Sequence, residues 1–226
     1  MHVLIIGAGA LGTIYAAYLS RAGHDVTLFA RGERANIIRE YGIAVSGIDE
    51  FVTRCAIATA DDPPASSDVL INAVKTYDNA AALKALQNVQ VSSAFSVQNG
   101  VQKNIALSDT FGSRATLGAV GMLGGEVTHV APGEPLGVRF NMPGATTVGE
   151  LDGSSSARID DIVTALNESG LRAGSSTEIQ SVEWSKFVGW SGVSALAVLT
   201  RLPTSAFMSR PDTALLAGLS LIHISE

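Results

Sequence analysis

The sequence predicts an α/β fold, a doubly wound parallel sheet followed by a helical segment, and three observations carry that prediction. Short continuous apolar runs alternate with helical patterns along the N-terminal half. A glycine-rich turn, GAGALG, joins the first apolar run to the first helical pattern. Beyond Gly174 the strand-like runs stop and the pattern stays helical. A chain of 226 residues has room for two domains, and the change of pattern places the boundary near 170–178. The expected division is a sheet domain over 1–174 and a helical one over 175–226.

The elements are justified in order. Residues 2–6 form a buried strand, and the helix after GAGALG runs through Arg21 to Gly23. Residues 25–29 are the next strand, and 33–41 a second helix that stops at Gly42. Residues 43–48 and 53–59 read as a hairpin-type insertion before a buried strand over 68–74. A helix follows over 79–86 and a strand over 94–97. Residues 115–150 are glycine-rich, short and alternating (TLGAVGMLGG, GVRFN, TTVGEL), the pattern of antiparallel or mixed strands. The polar cluster 152–156 is a turn and cap that opens a helix over 157–168.

Composition narrows the function classes. The chain is 46% hydrophobic and 16% charged, with a net charge of −6 and no run of Lys or Arg. That argues against a nucleic-acid partner and against an anionic membrane surface. The most apolar run, 187–200, is too short to span a bilayer and contains Gly, Ser and Thr. The N-terminus lacks the basic region and cleavage site of a signal peptide, and the single Cys55 cannot form an internal disulfide. The expectation is a soluble cytoplasmic protein with no metal site.

GAGALG matches the GxGxxG spacing, with a strand on one side and a helix on the other. In a Rossmann-type domain Gly7 permits the tight turn, Gly9 admits a pyrophosphate to the backbone, and Gly12 lets helix and strand pack closely. Ala8, Ala10 and Leu11 complete the loop, whose free N–H groups and positive helix end hold the diphosphate. The second strand distinguishes the cofactors. An NAD site places Asp or Glu at its end, whereas this chain reads Phe29-Ala30-Arg31-Gly32. A guanidinium pairs with a 2′-phosphate that a carboxylate would repel, so the expected cofactor is NADP(H). Lys75, in Val74-Lys75-Thr76-Tyr77, and Asn99, in Val97-Gln98-Asn99-Gly100, leave the sheet at strand C-termini, where open α/β sheets bind ligands.

Taken in order, GAGALG, FARG, AVKTY and SVQNG, then TTVGELDG and EWSKF, resemble the 2-dehydropantoate 2-reductase (ketopantoate reductase) family over roughly residues 1–210. The resemblance implies a Rossmann domain followed by an all-helical domain, NADPH dependence, and reduction of a 2-oxo acid to the 2-hydroxy acid in pantothenate synthesis. It carries Gly7, Gly9, Gly12, Arg31, Lys75 and Asn99 to the cofactor side and Lys186 to the catalytic position. A lysine at the start of an apolar helix is ordinarily a solvated group. Beside a ketone it would stabilise and protonate the alkoxide left by hydride transfer.

Two departures are visible. The family pattern has asparagines four and eight positions after the lysine, where this chain has Trp190 and Ser194. Ser194 retains a hydrogen-bonding hydroxyl, so Asn99, Lys186 and Ser194 are the residues expected beside a 2-oxo acid. Residues 219–226 (LSLIHISE) differ from the family's continuation, so the helical domain is expected to be incomplete. Uncovered apolar helix faces would then invite instability or pairing with another chain, a homodimer being one such form. Three functions stay open at this point: ketopantoate reduction, NADPH-dependent reduction of another 2-oxo acid or ketone, and NADP binding without turnover.

Overall fold

The computed structural model describes residues 1–128 and 131–212, and the tail 219–226 lies outside the described residues. The chain divides into two compact units, Met1–Ile179 and Gln180–Glu226. In the first, β1 (His2–Ile6), α1 (Ala10–Arg21), β2 (Asp25–Phe29), α2 (Gly32–Tyr41), β3 (Ile43–Gly47) and β4 (Phe51–Thr53) follow one another. Then come β5 (Ala56–Ala58), β6 (Ser66–Asn72), a 3-10 turn (Thr76–Asp78), α3 (Asn79–Ala85), β7 (Gln90–Ser96) and α4 (Lys103–Phe111). The unit closes with β8 (Leu117–Gly121), β9 (Gly124–Val127), β10 (Leu136–Met142), β11 (Thr146–Glu150), α5 (Ala157–Glu168) and β12 (Ala173–Ser175).

Five of these strands form a wholly parallel sheet in the order β5-β2-β1-β6-β7. The chain starts in the middle, winds outward to one edge, and returns to build the other half. This is the doubly wound arrangement, with its switch point between β1 and β6. The central strands read as unbroken apolar runs because both faces are covered. Val3 and Ile5 face the layer containing α1, while Leu4 and Ile6 pack with Leu70, Leu83, Leu86 and Leu107 on the opposite side.

Helix α1 is enclosed on all sides. It packs against β1 and β2 of the parallel sheet and also against β3, β4, β9 and β10 of a second sheet, ordered β4-β3-β10-β9. Every residue from Gly12 to Leu19 is therefore buried. This explains a helix with no charge before Arg21 and no amphipathic stripe. Its tyrosines meet polar partners, Tyr15 in the core and Tyr18 nearer the surface. Tyr15 Oη lies 2.5 Å from Thr146 Oγ1, and Tyr18 Oη donates to Asp49 Oδ2 at 2.9 Å. The Tyr18 ring meets Phe51 and Phe140 edge-on, and Arg21 lies over both Tyr18 and Phe51.

Two departures from the sequence reading stand out. The expected hairpin closes at Phe51–Thr53, and Ala56–Ala58 leaves it to become the edge strand of the parallel sheet beside β2. Three residues are too few for any periodicity to reveal that transfer. Helix α4 is absent from the sequence reading. KNIALSDTF has no capping side chain and almost no amphipathic character, so tertiary packing of Leu107 and Lys103 sets it. Burial pushes the Cys55 thiol up to about 11, so at neutral pH it is a small core side chain and not a nucleophile.

Helix α5 is tied down by ionic bonds. Ser156 Oγ and Arg158 Nε both donate to Glu150 Oε1, at 2.5 and 2.7 Å, while Arg158 Nη2 donates to Glu150 Oε2 at 2.5 Å. Arg158 Nη1 reaches the Arg114 carbonyl, joining α5 to β11 and to the turn before β8. Before the helix, Asp152 Oδ1 accepts from the Ser154 N–H and hydroxyl, closing the expected turn.

The second unit contains α6 (Ile179–Thr200) and α7 (Thr204–Met208). Helix α6 ends at Arg201, which adopts φ 54, with Pro203 two residues on. No helix among the described residues is long and apolar enough to cross a membrane.

The Arg158 hydrogen bonds are the first cause holding the Glu150 carboxyl below the ordinary carboxylate range. A carboxyl lowered on folding stabilises the fold above its unfolded pKa, and the contribution disappears as pH falls through the folded value. Arg158→Ala is expected to cost about 1–3 kcal/mol near pH 7. The difference from wild type should begin to narrow as pH falls below the ordinary Glu value of about 4, and disappear only once the folded carboxyl is itself protonated at lower pH. Urea melts of both proteins across this pH range check it.

Candidate functional site

The strands of the parallel sheet end along one edge, and the loops leaving that edge carry the sequence-predicted residues. Gly7 follows β1, Arg31 follows β2, Lys75 follows β6 and Asn99 follows β7. The switch point between β1 and β6 puts the glycine loop between the Arg31 and Lys75 segments.

The three glycines of the loop are small for different reasons. Gly7 adopts φ 101, and a Cβ there would stand 2.8 Å from Val74 Cγ1, while its N–H donates to Phe29 O at 2.9 Å. The turn is thus wedged between the segments that follow β2 and β6. A Cβ on Gly12 would drive into the Gly7 carbonyl oxygen, so this glycine allows α1 to lie against the turn. Gly9 is different. It caps α1 in an extended conformation any residue could adopt, and a Cβ there would meet nothing within 4 Å. No internal packing requires glycine at position 9. Its missing side chain opens the loop outward at a helix N-terminus whose first turn contains no acidic residue. Ala8, Ala10, Leu11 and Gly12 complete a backbone surface that fits a diphosphate.

Arg31 precedes α2 in extended backbone, with its side chain 80% exposed. Its Nη2 donates to Asp78 Oδ1 at 2.8 Å, an ion pair between the segments that flank the glycine loop. An exposed pair of this kind contributes about 0–1 kcal/mol. The sequence reading missed a second arginine. Arg34, one helical turn after Arg31, donates from Nη1 to the Ala8 carbonyl at 3.2 Å. The spacing Arg31-x-x-Arg34 at the start of α2 places both on neighbouring positions of one helix face.

Lys75 is exposed at the start of the 3-10 turn, and Asn99 is exposed beyond β7. Beneath them lies a buried polar network that the sequence reading also missed. Asn79 Oδ1 accepts from Asn72 Nδ2 at 2.7 Å and from Gln98 Nε2 at 3.1 Å. Gln98 Nε2 further donates to Val74 O at 2.8 Å, and Ser96 Oγ donates to Gln98 Oε1 at 3.1 Å. Lys103, buried at the start of α4, donates to the carbonyls of Gln98 and Ala119. The ends of β6 and β7 are thereby locked together. The signal was present as a set of amides at strand ends, but their partners are remote in sequence.

In the second unit, Lys186 is half-buried on α6, with Trp190 one turn later and Ser194 two turns later, both exposed. Trp184 and Phe187 meet edge-on at 5.9 Å on the same helix. Among the described residues, no cluster of His, Cys, Asp or Glu could hold a metal ion.

Comparison with known proteins adds an independent line. The chain is 29% identical over 212 residues to the 2-dehydropantoate 2-reductase of Archaeoglobus fulgidus, covering 93% of this chain and 68% of that protein. It spans about two thirds of the length of such relatives. The crystal structure of the 2-dehydropantoate 2-reductase of Geobacter metallireducens superposes with a TM-score of 0.84 at 24% identity, covering 98% of this chain and 73% of that one. The ternary structure of a D-mandelate dehydrogenase with NADH and anilino(oxo)acetate gives 0.80 at 18% identity, covering 96% and 70%. At these identities the two structures speak for the fold. Residues 3–153 match the family model described as Ketopantoate reductase PanE/ApbA, and the chain belongs to that family.

Proposed function

We propose that the protein is an NADPH-dependent reductase that converts 2-dehydropantoate to pantoate, as in pantothenate biosynthesis. The observation that carries the nucleotide half is the glycine loop, in which Gly9 alone lacks an internal packing reason for its missing side chain. Family membership and the names of the relatives supply the substrate. Bound NADPH supplies the hydride. The chain's own residues would do the rest. The loop Gly7–Gly12 holds the diphosphate, Arg31 and Arg34 present guanidinium groups on its β2 side, and Lys75 and Asn99 stand at the next two strand ends. Lys186 is assigned the proton that the product alkoxide requires, its ammonium stabilising the developing negative charge first. Asn99, Lys186 and Ser194 are assigned to the 2-oxo acid.

A second reading keeps the cofactor and changes the acid. Trp190 and Ser194 occupy the two α6 positions one and two turns after Lys186, and an indole cannot offer the paired donor and acceptor of an amide. That favours a bulkier or less polar 2-oxo acid. Following NADPH absorbance with 2-dehydropantoate beside a panel of 2-oxo acids separates the two. Turnover highest with 2-dehydropantoate supports the first, and absence of turnover with every acid refutes both.

The two loop glycines give a paired test. Gly9→Val should retain the melting profile within about 0.5 kcal/mol while NADPH binding is lost. Gly12→Ala should instead lower stability by about 1–3 kcal/mol, because the Gly7 carbonyl has to move. Calorimetric binding beside thermal melts distinguishes these. For catalysis, Lys186→Ala is expected to slow turnover by about 10²- to 10⁴-fold with little change in NADPH affinity. Unchanged turnover in that variant places the proton donor elsewhere.

A further inference from the structure

Arg31 shares its guanidinium with a carboxylate that the cofactor reading does not use. Asp78 Oδ1 accepts from Arg31 Nη2 at 2.8 Å, and Asp78 is the less exposed partner, at 34% against 80%. A 2′-phosphate and the Asp78 carboxylate are both anions that would draw on one cation. A ribose hydroxyl, in contrast, is a donor that a carboxylate accepts without repulsion.

Asp78 is not on a segment easily turned aside. Its own N–H donates to Lys75 O at 2.9 Å, closing the 3-10 turn. The next residue, Asn79, is the acceptor on which Asn72 and Gln98 converge, and Asn72, Ser96 and Gln98 are all buried. The network therefore fixes the turn from below, and the carboxylate stands where Arg31 reaches across from β2.

We propose that Asp78 is a specificity-determining residue whose carboxylate competes with the cofactor 2′-phosphate for Arg31, holding the preference for NADPH over NADH below the value that Arg31 alone would set. This rests on the NADP(H) reading of the site. The enzyme is consequently a moderate discriminator, able to accept NADH, and the negative charge at position 78 sets the degree.

The experiment is a double-mutant cycle on the full chain, with Kd for NADPH and NADH measured by calorimetry for wild type, Asp78→Asn, Arg31→Ala and the double variant. Asparagine keeps the shape and the acceptor oxygen and removes only the charge. Asp78→Asn is expected to tighten NADPH about two- to fivefold, the size of an exposed ion-pair effect, with NADH unchanged or weaker. The gain should shrink at high salt and disappear when position 31 is alanine. An unchanged NADPH-to-NADH ratio in Asp78→Asn overturns the proposal, as does selective weakening of NADPH or an equal gain in the Arg31→Ala background. The NADP(H) reading is judged separately, on whether Arg31→Ala lowers the wild-type NADPH-to-NADH ratio.

Discussion

The structure depends on one enclosed helix. Helix α1 lies between the parallel sheet and the smaller sheet β4-β3-β10-β9, and no face of it from Gly12 to Leu19 meets solvent. Burying Ile14 and Leu19 contributes on the order of 1.5–3 kcal/mol each. Close approach is enforced on both sides. A Cβ on Gly12 would strike the Gly7 carbonyl, and a Cβ on Gly125 would come within 2.8 Å of Ile14 Cδ1. The same helix supplies the N-terminal end that faces the proposed diphosphate. The element that carries most of the core therefore also fixes the position of the glycine loop. The loop geometry at Gly9 is inherited from packing at Gly12.

The legible parts of the sequence were those whose cause is local. The strands of the parallel sheet are continuous apolar runs because both faces are covered, and the glycines at 7, 9 and 12 announce a strand-to-helix turn by spacing alone. The turn at 152–156 was readable from its Asp and Ser content. What escaped depends on partners remote in the chain. Ala56–Ala58 is a strand because β2 offers a free edge, not because three residues of AIA prefer one. Arg34 was a surface arginine on a helix until the fold brought the Ala8 carbonyl to it. Asp78 was an acid in a loop until the fold brought Arg31. Lys186 and Ser194 were readable as residues, and their assignment to the substrate rests on family resemblance.

Two means of fixing loops operate along one sheet edge, and they suit different tasks. At β1 the loop is fixed by steric exclusion at Gly7 and Gly12, where a Cβ would strike Val74 Cγ1 and the Gly7 carbonyl oxygen, and by the Gly7 N–H bond to Phe29 O. Such a loop presents N–H groups and leaves space outside, which suits a ligand that is itself bulky and anionic. At β6 and β7 the loops are fixed by side-chain amides from beneath, Asn72, Asn79 and Gln98 satisfying one another. That arrangement leaves Lys75 and Asn99, which follow the same strands, exposed. Both loops are thereby held in place, the first by its backbone contacts and the second by buried side-chain amides.

Charge completes the argument. The chain as a whole is acidic, at −6, yet Arg31, Arg34 and Lys75 all stand on segments bordering the glycine loop. Net charge describes the long-range field, and it weakly opposes an approaching polyanion. Local cations act within a few ångströms and decide binding once the ligand arrives. Glu33 in the first turn of α2 and Asp78 after β6 also lie on these segments, and Asp78 is the one paired to Arg31. Asp78 is anchored by a turn whose support is buried, opposite an arginine whose side chain is mostly solvated. The more exposed partner of the pair is thus the cation and the less exposed one the anion. On the proposed reading, a ligand phosphate would compete with the Asp78 carboxylate for Arg31.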